Sequence, residues 1–261
     1  MCRRIGGVEP VVRCPPEELP LRYRILGPLD VSDGAGAATP TAPKAAQVLA
    51  VLLVHANHLV LAETLAEEVW GDEPPASAST TLQTYIYQIR GVLGRDAIET
   101  RPGGYCLPIE AGELDLLVFR ARARRAQSLL DGDRPDDAFG ELRSALSLWR
   151  GRPLTDVRAG RLLELELQSL EEERRRAAEM SIEAAFAAGR HRQVIGTLKQ
   201  MVADEPYDEW LHARLIEALT VAGRRREALH VYATLREVLA EHLGLDPTQE
   251  LKELERVVLE G

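Results

Sequence analysis

Residues 80–93 read Thr80-Thr81-Leu82-Gln83-Thr84-Tyr85-Ile86-Tyr87-Gln88-Ile89-Arg90-Gly91-Val92-Leu93, and they admit few folds. Leu82, Ile86, Ile89 and Leu93 fall at i, i+4, i+7 and i+11, which is one narrow stripe of a helix. The opposite stripe carries Thr80, Thr84, Tyr87, Gln88 and Gly91, with Thr81, Tyr85 and Arg90 on the flanks. Hydroxyl and carboxamide groups both donate and accept hydrogen bonds, as readout of base-pair edges in a major groove requires. The plainer reading is a surface helix with a polar outer face. The neighbouring segments decide between the two.

Those segments follow a recognisable order. Leu21–Val31 alternates apolar and polar residues around Gly27-Pro28, which predicts a short strand pair. Gly34–Pro43 is a loop rich in Gly, Ala, Pro and Thr. Ala45–Ala56 is a helix closed by Asn57-His58, and Val60-Leu61 lead into a second helix, Ala62–Trp70. Gly71-Asp72-Glu73-Pro74-Pro75 stops that helix, because neither proline continues it. Ser77 or Ser79 then offers an N-cap for the helix over 80–93. Ile98-Glu99-Thr100 and Tyr105-Cys106-Leu107, joined through Arg101-Pro102-Gly103-Gly104, predict a hairpin. Sheet, helix, helix, turn, helix and hairpin is the layout of a winged helix-turn-helix.

Beyond Leu114 the strand signals vanish. Helices are expected over 115–130, 136–149, 161–188, 192–204, 208–222, 225–242 and 248–259. Ala187-Ala188-Gly189-Arg190 recurs as Val221-Ala222-Gly223-Arg224, a shift of 34 residues, and Val194, Leu198 and Met201 map onto Ala228, Tyr232 and Leu235. A fainter copy begins at Asp133 with Ala138, Leu142 and Ala145. That period is the tetratricopeptide one, whose helix pairs bury their faces only by stacking. The predicted fold class is therefore mainly α with a small β component. It comprises a tail over 1–20, a winged helix over 21–110 and a tetratricopeptide-like helical domain over 111–261.

Composition excludes several function classes. No apolar run approaches the length that spans a membrane, and the N-terminus lacks a signal-peptide core, so a cytoplasmic protein is expected. Cys2, Cys14 and Cys106 are scattered and form no metal-ligand spacing. His55 and His58 lack further ligands nearby, while His212 and His230 stand singly on helices. No phosphate-binding loop, nucleophile elbow or zinc-protease motif occurs, so neither an enzyme nor a cofactor is expected. The acidic pairs Glu67-Glu68 and Asp136-Asp137 read as solvated helix faces. Arg174-Arg175-Arg176 and Arg224-Arg225-Arg226 read as ion-paired ones beside Glu171–Glu173 and Glu227.

The net charge of −9 opposes non-specific nucleic-acid binding, and residues 21–110 hold six Lys/Arg against ten Asp/Glu. A DNA-binding face would have to gather Lys44, Arg90, Arg95 and Arg101 on one side. Glu63, Glu67, Glu68, Asp72 and Glu73 would then turn away from DNA, where they could meet a protein. Lys44 opens the first helix, where a phosphate would offset the unfavourable helix dipole. Arg101 sits at the hairpin tip, placed to enter a minor groove.

Several stretches together resemble one family. Leu21–Val31, Pro43-Lys44, Val51–Asn57, Val69–Pro75, Leu82–Ile86 and Thr100–Tyr105 are similar to the first domain of the Streptomyces antibiotic regulatory protein (SARP) family. Glu113–Asp115, Ala145–Gly151, Glu227–Tyr232 and Gly244–Pro247 are similar to its second. The resemblance implies an OmpR/PhoB-type winged helix, like the effector domain of a two-component regulator, followed by a bacterial transcriptional activation domain (BTAD). It implies a transcriptional activator that binds direct repeats in promoter double-stranded DNA as a homodimer and recruits RNA polymerase holoenzyme to switch on a secondary-metabolite (antibiotic) gene cluster.

By matching positions, the resemblance puts Thr80, Thr81, Thr84 and Gln88 on bases, Tyr85, Tyr87 and Arg90 on phosphates, and Arg101 in the wing. It makes Trp70, Gly71, Asp72 and Glu73 the polymerase-facing turn. Gln88 and Gly91 depart from the family, standing where basic residues are common. Longer members add a nucleotide-hydrolysing module, and no nucleotide is expected here. The alternative is a protein-interaction scaffold whose winged helix is a docking surface.

Overall fold

The computed structural model describes residues 22–32 and 39–260. The expected tail over 1–20 and residues 34–38 of the expected loop lie outside them. The chain forms two compact units. The first joins the residues up to Val118 with Trp149–Ser169; the second joins Phe119–Leu148 with Leu170 onward.

In the first unit, β1 (Tyr23–Arg24) pairs antiparallel with β2 (Asp30–Val31). Helix α1 (Pro43–Val54) starts two residues earlier than its periodicity predicts. Proline is compatible with a first helical turn, where its missing N–H costs nothing. Every α1 residue from Gln47 to Val54 is buried, so α1 is the central rod of the unit. It ends before Asn57, which adopts a positive φ of 68°. Asparagine tolerates that conformation, and its side chain exchanges hydrogen bonds with Ile109 (Ile109 N–H to Oδ1, 2.8 Å).

Val60-Leu61, expected only as a lead-in, forms a third strand, β3 (Val60–Leu61). It precedes α2 (Ala62–Trp70), α3 (Ala78–Leu93), β4 (Glu99–Arg101) and β5 (Gly104–Cys106). The sheet order is β3-β5-β4, all antiparallel, with Val60 opposite Tyr105 and Thr100 opposite Tyr105 on the other edge. Two residues were too few for an alternation signal. Ser77 does precede α3, but its φ/ψ of −87°/5° is not the extended cap conformation, and its hydroxyl makes no capping bond. The α3 stripe behaves as its spacing requires: Leu82, Ile86, Ile89 and Leu93 are all buried.

The helices beyond Leu114 are α4 (Asp115–Asp131), α5 (Pro135–Leu146), α6 (Arg161–Ala187), α7 (His191–Asp204), α8 (Glu209–Val221), α9 (Arg225–Leu243) and α10 (Gln249–Glu260). Each boundary lies within three residues of the sequence expectation. The largest difference is α5, which ends at Leu146 rather than at Trp149, and Trp149 belongs to the first unit.

The internal repeat is a repeat of turns as well as of faces. Gly189 and Gly223 end α6 and α8 with φ of 69° and 75°, and Asp133 ends α4 with φ 54°. The following N–H closes the same loop each time: Arg134 to the Leu129 carbonyl, Arg190 to Ala185 and Arg224 to Leu219. These are helix C-terminal bonds that satisfy otherwise unpaired carbonyls. Val194 and Leu198 are buried, as are Ala228, Tyr232 and Leu235; Met201 is half-buried. Ala138, Leu142 and Ala145 of the fainter copy are buried too.

Each arginine run carries ion pairs, at Arg174 and Arg175 in the first and at Arg224 in the second. Arg174 meets Glu171, Arg175 meets Glu179, Glu205 and Asp208, and Arg224 with Lys199 holds the Glu227 carboxyl down at about 2. His212, by contrast, is buried and its ring nitrogen Nδ1 lies 2.8 Å from the Asp208 carbonyl.

Ile86 is only 1% exposed at the centre of the α3 stripe. Ile86→Ala should lower unfolding free energy by about 2–5 kcal/mol, measured by urea denaturation of the full chain. A loss under ~0.5 kcal/mol would mean that the stripe does not seat α3.

Candidate nucleic-acid interface

The outward face of α3 is open. Thr80, Thr84, Tyr87, Gln88 and Gly91 are exposed, and Tyr87 reaches 79%. Thr81, Tyr85 and Arg90 are half-buried flanks. Thr84 donates its hydroxyl hydrogen to the Thr80 carbonyl at 3.1 Å, which leaves its lone pairs and methyl group facing out. Thr81 keeps a hydroxyl at the edge of that face. The Gln88 carboxamide makes no hydrogen bond to any described residue, so its donor and acceptor are both unspent.

Arg90 does something the spacing did not predict. Its Nε and Nη2 donate to the Ile98 carbonyl at 3.2 and 2.7 Å, and Nη2 also donates to Thr100 Oγ1 at 2.8 Å. The guanidinium thus ties α3 to the hairpin, and its planar fork suits the bidentate grip. Arg101 is on β4 at the hairpin tip as expected, but Glu99 holds it: Nε and Nη2 donate to Glu99 Oε2 at 3.0 and 2.7 Å. That hydrogen bond raises the already high Arg101 pKa. The pair is exposed, so giving it up would cost little.

Lys44, at the start of α1, lies with its Nζ 5.2 Å from the centroid of the Trp70 ring. Trp70 in turn stacks on Tyr85, with centroids 6.1 Å apart and planes 24° apart. Lys44, Trp70 and Tyr85 therefore form one column joining α1, α2 and α3. Arg22 donates from Nη2 to the Leu93 carbonyl at 2.8 Å, placing a cation at the negative end of α3. Neither contact has a sequence signal, because each joins residues from separate elements.

The turn after α2 is laid open. Gly71, Asp72 and Glu73 are exposed while Trp70 is half-buried. A cleft of about 500 Å³ lies beside it, lined by Glu67, Trp70, Asp72, Arg158, Arg161 and Leu165 among others. The expected acidic edge is real for Glu63, Glu67, Asp72 and Glu73, all exposed. Glu68 departs from the solvated face expected of the Glu67-Glu68 pair: it is 4% exposed. Its carboxylate accepts from three backbone N–H groups near the start of α6, which outweighs exposure to water.

Among the described residues no three His, Cys, Asp or Glu side chains gather as a metal site, and no helix is long and apolar enough to cross a membrane. His55 instead lies 3.6 Å from Glu166, and Cys106 is a free, buried thiol.

A winged helix with an exposed hydroxyl-and-amide face, followed by repeated helix pairs, is the architecture of a transcriptional regulator. The chain matches the family described as "Transcriptional regulatory protein, C terminal" over residues 36–107 and "Bacterial transcriptional activator domain" over 114–259. It belongs to the SARP family. It is similar to the regulatory protein DnrI of Streptomyces peucetius, 35% identical over 92% of each chain. It is 32% identical to the regulatory protein AfsR of Streptomyces griseus, covering 96% of this chain but 26% of that one. A solved structure of Mycobacterium tuberculosis EmbR in complex with a low-affinity phosphopeptide matches with a TM-score of 0.81 at 30% identity, covering 92% of this chain and 65% of EmbR.

The three contacts of Arg90 generate a test. Arg90→Ala should release the hairpin, lowering stability by about 1.5–3 kcal/mol and speeding amide exchange in β4. Unchanged exchange at Thr100 and Arg101 would show that the guanidinium does not hold the wing.

Proposed function

We propose that this chain is a sequence-specific DNA-binding activator that pairs as a homodimer on promoter direct repeats in the cytoplasm. In this reading residues 21–110 are the DNA-binding domain and 111–261 the activation domain. The observation that carries it is α3, whose apolar stripe is sealed while Thr80, Thr84 and Gln88 remain exposed on the opposite side. Thr80, Thr81, Thr84 and Gln88 read bases in the major groove. Tyr87, Tyr85 and Lys44 contact phosphates from the exposed face and its column, Arg101 enters the neighbouring groove from the wing, and Arg90 fixes the wing that carries it.

Trp70, Gly71, Asp72 and Glu73 form the surface for RNA polymerase holoenzyme. Trp70 acts from within the column, and the exposed acidic residues Asp72 and Glu73 make the contact. The relatives' names as regulatory proteins, and DnrI's match along nearly its whole length, support a regulatory role; the target, as membership of the SARP family suggests, is a secondary-metabolite (antibiotic) gene cluster. The family's regulators support a role without a cofactor or catalysis.

Titration of a labelled direct repeat against a scrambled duplex tests the reading, and equal affinity for both would leave a scaffold as the function. Gln88→Ala should cost about 1–3 kcal/mol at one base position and little on scrambled DNA. Replacing Asp72 and Glu73 with alanine together should leave DNA affinity unchanged yet reduce transcription from a direct-repeat promoter in a reconstituted assay. Full transcription from that double variant would remove the turn from the polymerase surface.

A further inference from the structure

The DNA-reading unit contains a segment that its sequence position hides. Residues 149–169 follow α4 and α5 in the chain and pack with the winged helix. They are anchored twice. At one end, the Arg150 N–H donates to the Leu26 carbonyl at 2.7 Å, the Leu154 N–H to the Gly27 carbonyl at 2.6 Å, and the Leu29 N–H to Asp156 Oδ1 at 2.7 Å. At the other, Glu68 of α2 accepts from the first backbone donors of α6. Its Oε1 takes the Gly160 N–H at 2.6 Å; its Oε2 takes Leu162 and Leu163 at 2.9 and 3.2 Å.

Those donors are the ones a helix leaves unpaired at its start, and a carboxylate there also meets the positive end of the dipole. A local cap would come from the residue just before the helix. Here it comes from a residue 92 to 95 positions away. Gln47 of α1 completes the grip, donating from Nε2 to the Glu68 carbonyl at 2.8 Å. The approach is so close that a Cβ on Gly160 would lie 2.3 Å from the Glu68 carbonyl oxygen, so no larger residue fits unless the backbone moves.

Glu68 lies in the last turn of α2, two residues before Trp70, where the helix ends. Trp70 stacks on Tyr85 of α3 and carries Lys44 on its other contact. A buried carboxylate needs its donors at fixed distances and angles, so moving the start of α6 moves the last turn of α2, and with it the ring on which Tyr85 rests.

We propose that Glu68 is a positioning residue for DNA recognition, which sets the pose of α3 through Trp70 by gripping the start of α6, so that residues 160–163 are a working part of the DNA-reading unit. This rests on the DNA-binding function proposed above.

The test uses the full chain. Glu68→Gln keeps the shape of the side chain but turns one acceptor into a donor, which must face either Gly160 or the Leu162–Leu163 pair. Measured well below its unfolding midpoint, this variant should lose about tenfold in affinity for the direct repeat while scrambled-duplex affinity stays within about twofold. Arg150→Ala, which removes the side-chain bond from Nη2 to the Pro28 carbonyl at the other anchor, is the control and should keep the wild-type ratio.

A Glu68→Gln protein that unfolds earlier but discriminates as well as wild type would overturn the proposal and make Glu68 a structural cap. So would an equal loss of discrimination in Arg150→Ala. A second measurement needs no variant. Linkage requires that specific DNA, bound at α3, slow amide exchange at Leu162 and Leu163 in the wild-type chain more than scrambled DNA does. Identical exchange with the two duplexes overturns the proposal even if Glu68→Gln fails to fold. Wild-type protein that does not distinguish the duplexes at all overturns the DNA-binding reading itself, and this proposal with it.

Discussion

Two buried carboxylates hold the first unit together, each answering backbone donors that the local chain leaves empty. Asp115, at the start of α4, accepts from Ile25, Leu26 and Leu116 N–H groups at 2.8–3.0 Å and is 1% exposed. Burial raises its pKa, and the three N–H bonds and the nearby Arg150 charge only partly pull it back. Glu68 likewise accepts from backbone N–H groups, those of Gly160, Leu162 and Leu163 at the start of α6. An apolar residue in either place would seal the surface equally well but would leave those N–H groups without a partner, at a cost of about 1–3 kcal/mol each. The fold of the winged helix therefore depends on residues that a boundary drawn near residue 110 leaves out.

Periodic features were legible in the sequence and single contacts were not. The α3 stripe, the helices of the activation region and the 34-residue repeat each rest on several residues in register, so an error at one position changes little. Asp133 with its positive φ repeats the geometry of Gly189 and Gly223, although its surrounding sequence has drifted. Two-residue β3 carried no alternation to read. Ser77 sat at the expected position, yet its backbone conformation denies its hydroxyl the capping bond.

The candidate interface divides along the same line. The exposed Thr80, Thr84, Tyr87 and Gln88 follow from helical geometry alone. Arg90 and Trp70 do not, because what each touches depends on how the hairpin and α1 close around α3. Glu68 was the least readable. It stands in an acidic stretch with Glu63, Glu67, Asp72 and Glu73, and nothing within that stretch singles out the one carboxylate that turns inward to meet a helix end nearly a hundred residues away.

The charge of the unit bears on how such a protein could hold DNA. Of the four cations gathered for the interface, Arg90 is committed to the hairpin, Arg101 is paired with Glu99, Lys44 lies over Trp70 and Arg95 is exposed. Few guanidinium or ammonium groups stand free to displace counterions from phosphates, and each displaced contact contributes to affinity and to its salt dependence. A protomer of this kind would bind weakly wherever base contacts fail. In the pair proposed on a direct repeat, contact between the copies would raise the effective concentration of the second, so affinity that one protomer lacks would be recovered by correct spacing. A sparse phosphate footprint thus favours discrimination over strength. It also fits the family departure at Gln88 and Gly91, where a carboxamide and a bare backbone stand in place of further charge.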